Sequence, residues 1–87
     1  MSITVELTYE MSKALGVQRF ELESAANVAN VVEQARDRFR SSDADFEKLT
    51  RVAAVAVNGV LSSYRKGMKT RLADGDRVAF VKAAAGG

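Results

Sequence analysis

The last two residues, Gly86-Gly87, are the part of this sequence best suited to carry chemistry. A carboxylate flanked by residues without Cβ atoms can thread a narrow channel and approach a nucleotide phosphate. Glycine also reaches backbone angles closed to other residues. A loose terminus that merely ends in glycine would read the same, because chain ends are commonly untied. The rest of the composition offers few competitors. The chain has no cysteine and no histidine. That removes disulfides, Cys/His metal sites, thiol nucleophiles and imidazole bases. No cluster of Asp and Glu has the spacing of a metal-binding loop, so no metal site is expected. No convincing acid–base pair marks a stand-alone enzyme.

With 87 residues a single domain is expected, burying about 60–65% of its unfolded surface. Hydrophobic residues make up 47% and charged residues 28%, an ordinary globular balance. Met1-Ser2-Ile3-Thr4-Val5-Glu6 has neither the basic start nor the apolar run of a signal peptide. No apolar stretch approaches a membrane span. A cytoplasmic protein with no membrane partner is therefore expected. The net charge is only +2, which by itself does not call for nucleic acid.

A reactive terminus needs a scaffold, and the periodicities supply one. Ile3 to Tyr9 alternates apolar and polar residues, predicting a half-buried strand with Ile3, Val5, Leu7 and Tyr9 on one face. Glu10 to Gly16 breaks that pattern and reads as a connection of about seven residues. Val17 to Leu22 predicts a second strand, antiparallel to the first. In the stretch from Ser24 to Arg40, Val28, Val31, Val32, Ala35 and Phe39 share one helical face. Asn27 is the expected N-cap and Ser24 the competing choice. Arg36, Arg38 and Arg40 gather at the C-terminal end, where the helix dipole favours them and solvent is expected to cover them. Phe46 and Leu49 predict a single apolar turn.

Ala53 to Asn58 is a continuous apolar run, expected to be covered on both faces or to lie at the sheet centre. Asn58-Gly59 is a turn signal, and Val60-Leu61 starts a short extended piece. Ser62 to Arg71 reads as irregular and basic, with Arg65, Lys66, Lys69 and Arg71 around Gly67. Asp74-Gly75-Asp76 is a turn into the last strand, Arg77 to Val81. Phe80 and Val81 have opposite parity, and Phe80 is expected to face the helix. A hairpin, one helix and a return to the sheet make an α+β fold. The expected form is a β-grasp, or ubiquitin-like, mixed sheet of four to five strands. One main helix packs on one face, and the last strand lies centrally, parallel to the first. Residues 1–82 form the domain, and 83–87 a flexible tail.

Val57-Asn58-Gly59, the run Leu72-Ala73-Asp74-Gly75-Asp76-Arg77-Val78-Ala79-Phe80 and the final Gly86-Gly87 together resemble the MoaD/ThiS family of sulfur carriers. The specific part of the likeness covers residues 53–87. Residues 1–40 follow the family in element order, with Lys13-Ala14-Leu15 at its short basic turn. Two features depart from MoaD. Val81-Lys82-Ala83 stands where Phe-Pro-Pro is common, and the segment from Asn58 to Asp74 is longer. Such length occurs among MoaD-like carriers of other sulfur pathways.

The resemblance implies that Gly87 is adenylated and converted to a thiocarboxylate, with Gly86 giving access to the partner's channel. Ala83, Ala84 and Ala85 would keep the approach slim. Leu61 and Val81, with Tyr9 as a looser match, correspond to the family's partner-facing apolar patch; ordinary core positions are the competing reading. No cofactor is expected on this chain, and ATP and Mg²⁺ belong to the activating partner. Expected partners are a MoeB/ThiF-like adenylyltransferase, a MoaE-like large subunit or another sulfur-accepting enzyme, and a sulfurtransferase or other sulfur donor. The destination reads as the small subunit of molybdopterin synthase, a carrier for a cysteine, thiamin, tRNA-thiolation or specialised pathway, or a lysine-linked modifier. From a different class comes a β-grasp module that holds RNA through basic residues 64–71.

Overall fold

The computed structural model describes residues 2–41 and 45–82. Strand β1, Ile3–Glu6, is followed by helix α1, Tyr9–Leu15, and strand β2, Arg19–Leu22. Helix α2 spans Val28–Arg38 and helix α3 Phe46–Arg51. Strands β3, Ala53–Val57, and β4, Val60–Leu61, then lead through two short 3₁₀ turns to strand β5, Arg77–Lys82. The strands form one sheet in the order β2-β1-β5-β3-β4. Strand β5 is central, parallel to β1 and antiparallel to β3. This is the β-grasp arrangement expected from the alternation and turn signals.

Helix α2 holds the core together. Asn27 caps it: its side-chain oxygen accepts from the Asn30 amide at 2.9 Å, satisfying one of the orphan donors of the first turn. Ser24 does not take that place. Val28, Val31, Val32 and Ala35 are buried against the sheet, as their spacing predicts. They meet Ile3 and Val5 of β1, Phe20 and Leu22 of β2, Val57 of β3, and Val78 and Phe80 of β5. All four phenylalanines are joined ring to ring. Phe20 meets Phe39 edge-on at 5.5 Å, Phe39 stacks on Phe46 at 6.0 Å, and Phe46 meets Phe80 edge-on at 6.4 Å. Each such pair adds about 0.5–1.5 kcal/mol beyond its buried area. Phe46 therefore does more than fill a single turn, because it begins α3 and locks that helix against β5. Arg36, Arg38 and Arg40 are exposed as expected, and Arg38 also lays its guanidinium 4.7 Å from the centre of the Phe20 ring.

The clearest correction concerns Tyr9. Strand β1 ends at Glu6, and Tyr9 opens α1 with 77% of its surface exposed. The Thr8 hydroxyl accepts from the Met11 amide at 3.0 Å, capping the helix. Gly16 closes it in the left-handed region at φ 83, a conformation favourable to glycine. The supposed connection from Glu10 to Gly16 is therefore a seven-residue helix with Met11 buried. Strand β3 also differs from one of its two expected forms. It lies inside the sheet, between β5 and β4, but only one of its faces is covered by helices.

Candidate functional site

The two faces of the sheet are chemically different. Cross-strand pairs place Val55 opposite Phe80 and Val57 opposite Val78 on the helix-covered face. The other face carries Ala54 opposite Val81, Ala56 opposite Ala79, and Leu61 opposite Ala56. Leu61, Val81, Ala54 and Ala79 are only half-buried. No described helix covers them, because α2 and α3 occupy the opposite side. Toward the other edge the same face becomes polar, with Thr4 opposite Arg77, Glu6 opposite Arg19 and Glu21 opposite Thr4. Arg77 and Glu6 approach to 3.7 Å there. The apolar half is therefore one small patch, centred on the strand that leads to the C-terminus.

Of the residues singled out from the sequence, Leu61 and Val81 come together on this patch. Tyr9 does not join them on the strand face. It lies on α1, at the end of the sheet toward which β5 runs, and lines an open groove with Glu6, Leu7, Ser12, Gln18 and Arg19. Ala83, Ala84, Ala85, Gly86 and Gly87 lie outside the described residues. Sequence reasoning missed Ala54, Ala56 and Ala79 as members of the patch. The available signal was parity: Ala54 and Ala56 alternate with Val55 and Val57, which face the core.

The root of the tail is held firmly. Strand β5 is paired on both sides, and its pairing with β3 runs to Lys82 opposite Ala53. Its start is fixed by the two turn motifs, which are joined to each other. Asn58 and Gly59 both take positive φ, at 50 and 85, making the tight hairpin between β3 and β4. The Asn58 side chain then spans to the Asp-Gly-Asp turn. Its amide donates to Asp76 Oδ1 at 3.0 Å, and its oxygen accepts from the Arg77 amide at 3.0 Å. Asp76 Oδ2 accepts from the Ala73 amide at 2.8 Å. Asp74 accepts from the Ser2 amide at 2.7 Å, and Gly75 donates to the Ser2 carbonyl at 2.8 Å. The Asn and both Asp residues of the motif therefore register three strands, and their role here is architectural.

The Ala73 amide and then the Asn58 side chain hold the Asp76 carboxyl below its ordinary value of 3.8; nearby Arg65 adds to this, against partial desolvation. A carboxylate favoured in the folded state stabilises fully above its unfolded pKa and loses that contribution as pH falls through its folded one. Asp76→Asn places a donor where acceptors are required. We expect it to melt below the wild type at neutral pH. The gap should narrow as pH drops below 3.8, as read by thermal melts across an acid series. A gap independent of pH would contradict this role for the charge.

Residues 5–87 match the ThiS family, a match that takes in the sheet, both turns and the final Gly-Gly. The chain belongs to the ThiS family. No curated protein matches by sequence. Solved structures with the same fold include small archaeal modifier protein 1 from Methanosarcina acetivorans. That structure shares 23% identity, with a TM-score of 0.77 over 99% of this chain and 96% of that one. A chain of the BexX/CysO complex of Amycolatopsis orientalis shares 25% identity with a TM-score of 0.69, covering 98% and 99%. The complex of subunits 1 and 2 of the molybdopterin-converting factor from Helicobacter pylori contributes another, at 20% identity and TM-score 0.62 over both full lengths. This ThiS-family chain is thus a ubiquitin-fold protein of the sulfur-carrier and modifier group. Among its described residues, no helix is long and apolar enough to cross a membrane, and no group of His, Cys, Asp or Glu could hold a metal ion.

Proposed function

We propose that this protein is a sulfur carrier that works through the carboxylate of Gly87. The observation that carries the reading is the family match, which runs through the terminal Gly86-Gly87. A carboxylate is a poor electrophile, so it must be activated. Within an adenylating partner, a Gly87 oxygen attacks the α-phosphorus of ATP and pyrophosphate leaves. The resulting acyl-adenylate is attacked at carbon by a sulfide sulfur, and AMP departs with the original oxygen. The product is a thiocarboxylate, whose sulfur then attacks the substrate of a second enzyme. This chain supplies no base and no metal ligand to these steps. Its contribution is to present the terminus from a strand held on both sides, with the Leu61–Val81 patch as the seat for each partner.

The destination we propose first is the small-subunit place in molybdopterin synthase, with a MoaE-like chain as acceptor. A second destination, a different sulfur-accepting enzyme, is favoured by Val81-Lys82-Ala83 in place of a proline-containing approach. It is also consistent with the 25% identity to a chain of the BexX/CysO complex. The deciding experiment is intact-mass spectrometry after incubation with ATP, Mg²⁺, a MoeB/ThiF-like enzyme and sulfide. The C-terminal peptide should gain the mass difference of one oxygen-to-sulfur exchange. No gain with any such enzyme would overturn the carrier reading. Co-purification with a MoaE-like subunit would then separate the first destination from the second.

A further inference from the structure

The sheet has two edges, and they are not alike. Strand β4 is two residues long and runs straight into a 3₁₀ turn, Ser62–Tyr64, that packs against β3. A short, covered edge of this kind resists further pairing. Strand β2, Arg19–Leu22, forms the other edge. It contains no proline, its register with β1 has no bulge, and its outer side has no strand partner among the described residues.

The pairing with β1 shows which backbone groups this edge offers. The Leu7 amide donates to the Gln18 carbonyl at 3.0 Å, so these residues form a hydrogen-bonded pair. Such pairs alternate along an antiparallel ladder. Phe20 and Leu22, opposite Val5 and Ile3, therefore direct their N–H and C=O groups at β1. The Thr4 amide fits the same parity, because it donates the other way, to the Asp76 carbonyl at the start of β5. The N–H and C=O groups of Arg19 and Glu21 point outward from the sheet. Both residues are exposed, with their side chains on the open face.

We infer that the β2 edge pairs with the β2 edge of a second copy of this chain, antiparallel about a two-fold axis through Phe20. Hydrogen bonds across such an axis must join outward-facing residues, which leaves three registers centred within the strand. One sets Arg19 against Arg19 and another sets Glu21 against Glu21. Only the register centred on Phe20 sets Arg19 against Glu21 of the second copy, and by symmetry it does so twice. Opposite charges directly across a sheet stabilise the pairing and like charges oppose it. The rows already on the open face extend the same pattern. From β5 to β2 one row reads Arg77, Thr4, Glu21 and the next Ala79, Glu6, Arg19. Joined at the axis, Arg77, Thr4 and Glu21 continue into Arg19, Glu6 and Ala79 of the second copy, and the charges alternate in sign through the interface. On the helix side Phe20 stands opposite Phe20, each ring carrying its own Arg38.

A four-residue edge buries little area, which places this dimer among weak, reversible complexes. The inference is independent of the carrier reading and has a consequence for it. Strand β1 separates the dimer edge from β5, so the Leu61–Val81 patch stays open in both copies. The two β5 strands run in opposite directions and lead to their termini at opposite ends of one continuous sheet. Two carboxylates can then be served at once.

The test uses the full chain at low salt. Sedimentation equilibrium from about 10 μM to about 1 mM spans the range of weak dimers, and wild type should associate to a dimer within it. Arg19→Glu and Glu21→Arg each set like charges opposite one another at both pairs. Each should weaken dimerisation by at least about 10-fold. The double swap Arg19→Glu/Glu21→Arg restores both pairs and should return the association constant close to that of wild type. The two single variants, when mixed, should prefer each other to themselves. Amide exchange on wild type reads the register itself: the Arg19 and Glu21 amides should gain protection as concentration rises, while those of Phe20 and Leu22 stay unchanged. Wild type that remains monomeric at the highest concentration would overturn the inference and leave the edge to an extended segment of another protein. Dimers indifferent to both single substitutions, or with the Arg19 and Glu21 amides unprotected, would overturn it in favour of a different interface.

Discussion

Val81→Asp is expected to lower affinity for the adenylating partner by about 100-fold or more while the protein remains folded. Val81 lies on the open face opposite Ala54, on the central strand that leads to the tail. Seating that face against a partner removes it from water, and a carboxylate at its centre is then desolvated without a counter-charge. Polar burial of this kind costs several kcal/mol, and each 1.4 kcal/mol is tenfold in affinity. The same change in the free protein is mild. The site is half-exposed, and strand preference accounts for about 1 kcal/mol at most. Leu61→Asp should act in the same direction, because Leu61 shares that face opposite Ala56. Arg19→Ser, on the polar half of the same face, is the control and should bind as wild type does. Titration calorimetry with the adenylyltransferase reads all three. Equal affinity for Val81→Asp and wild type would mean that the partner sits elsewhere.

Why this face was only half legible in the sequence follows from its residues. The helix spacing from Val28 to Phe39 and the alternation in β5 are strong periodic signals, and both elements form where they predict. The parity of Phe80 and Val81 likewise resolves as expected, with Phe80 buried. Alanine is what blurred β3. Ala54 and Ala56 count as apolar in any pattern, yet both lie on the open sheet face, Ala54 half-exposed and Ala56 buried, while Ala53 shares the helix side with Val55 and Val57. Tyr9 failed for a different reason. Thr8 and Tyr9 continue the polar–apolar rhythm of β1, but Thr8 is an N-cap, and a local hydroxyl-to-amide bond overrides alternation at a strand end. The joining of Asn58 to Asp76 was out of reach, because each motif is complete as a turn and nothing local announces a bond across 18 positions. The proposed chemistry, by contrast, rests on sequence alone: a chain without cysteine or histidine offers few reactive groups besides the carboxylate behind Gly86-Gly87.

The largest effect is expected at those glycines. Deleting Gly86-Gly87 should abolish thiocarboxylate formation, and Gly86→Ala should reduce its rate by on the order of 100-fold. Neither change should alter the melting temperature, because the buried core of the described residues runs from Ile3 to Phe80. The rate argument is one of approach. An acyl-adenylate forms only when a carboxylate oxygen lies in line behind the α-phosphorus of ATP, and a displacement of about 1 Å from such geometry can lose about 10²-fold. A methyl group at position 86 enlarges the chain where the partner's channel must be narrow. It also closes backbone angles that glycine alone uses freely. Ordering the tail already costs about 1–2 kcal/mol per residue in backbone entropy, so the channel must fit closely enough to offset that, and a close fit tolerates a methyl badly. Ala83→Gly makes the informative counterpart: it narrows the chain but raises the entropy to be lost, so it should slow the reaction only a few-fold. Single-turnover kinetics read by intact mass distinguish the three variants, with thermal melts as the folding control. A Gly86→Ala protein thiolated at the wild-type rate would mean that channel access is not what the penultimate glycine provides. A chain lacking both glycines that still supports its pathway would remove Gly87 from the chemistry altogether.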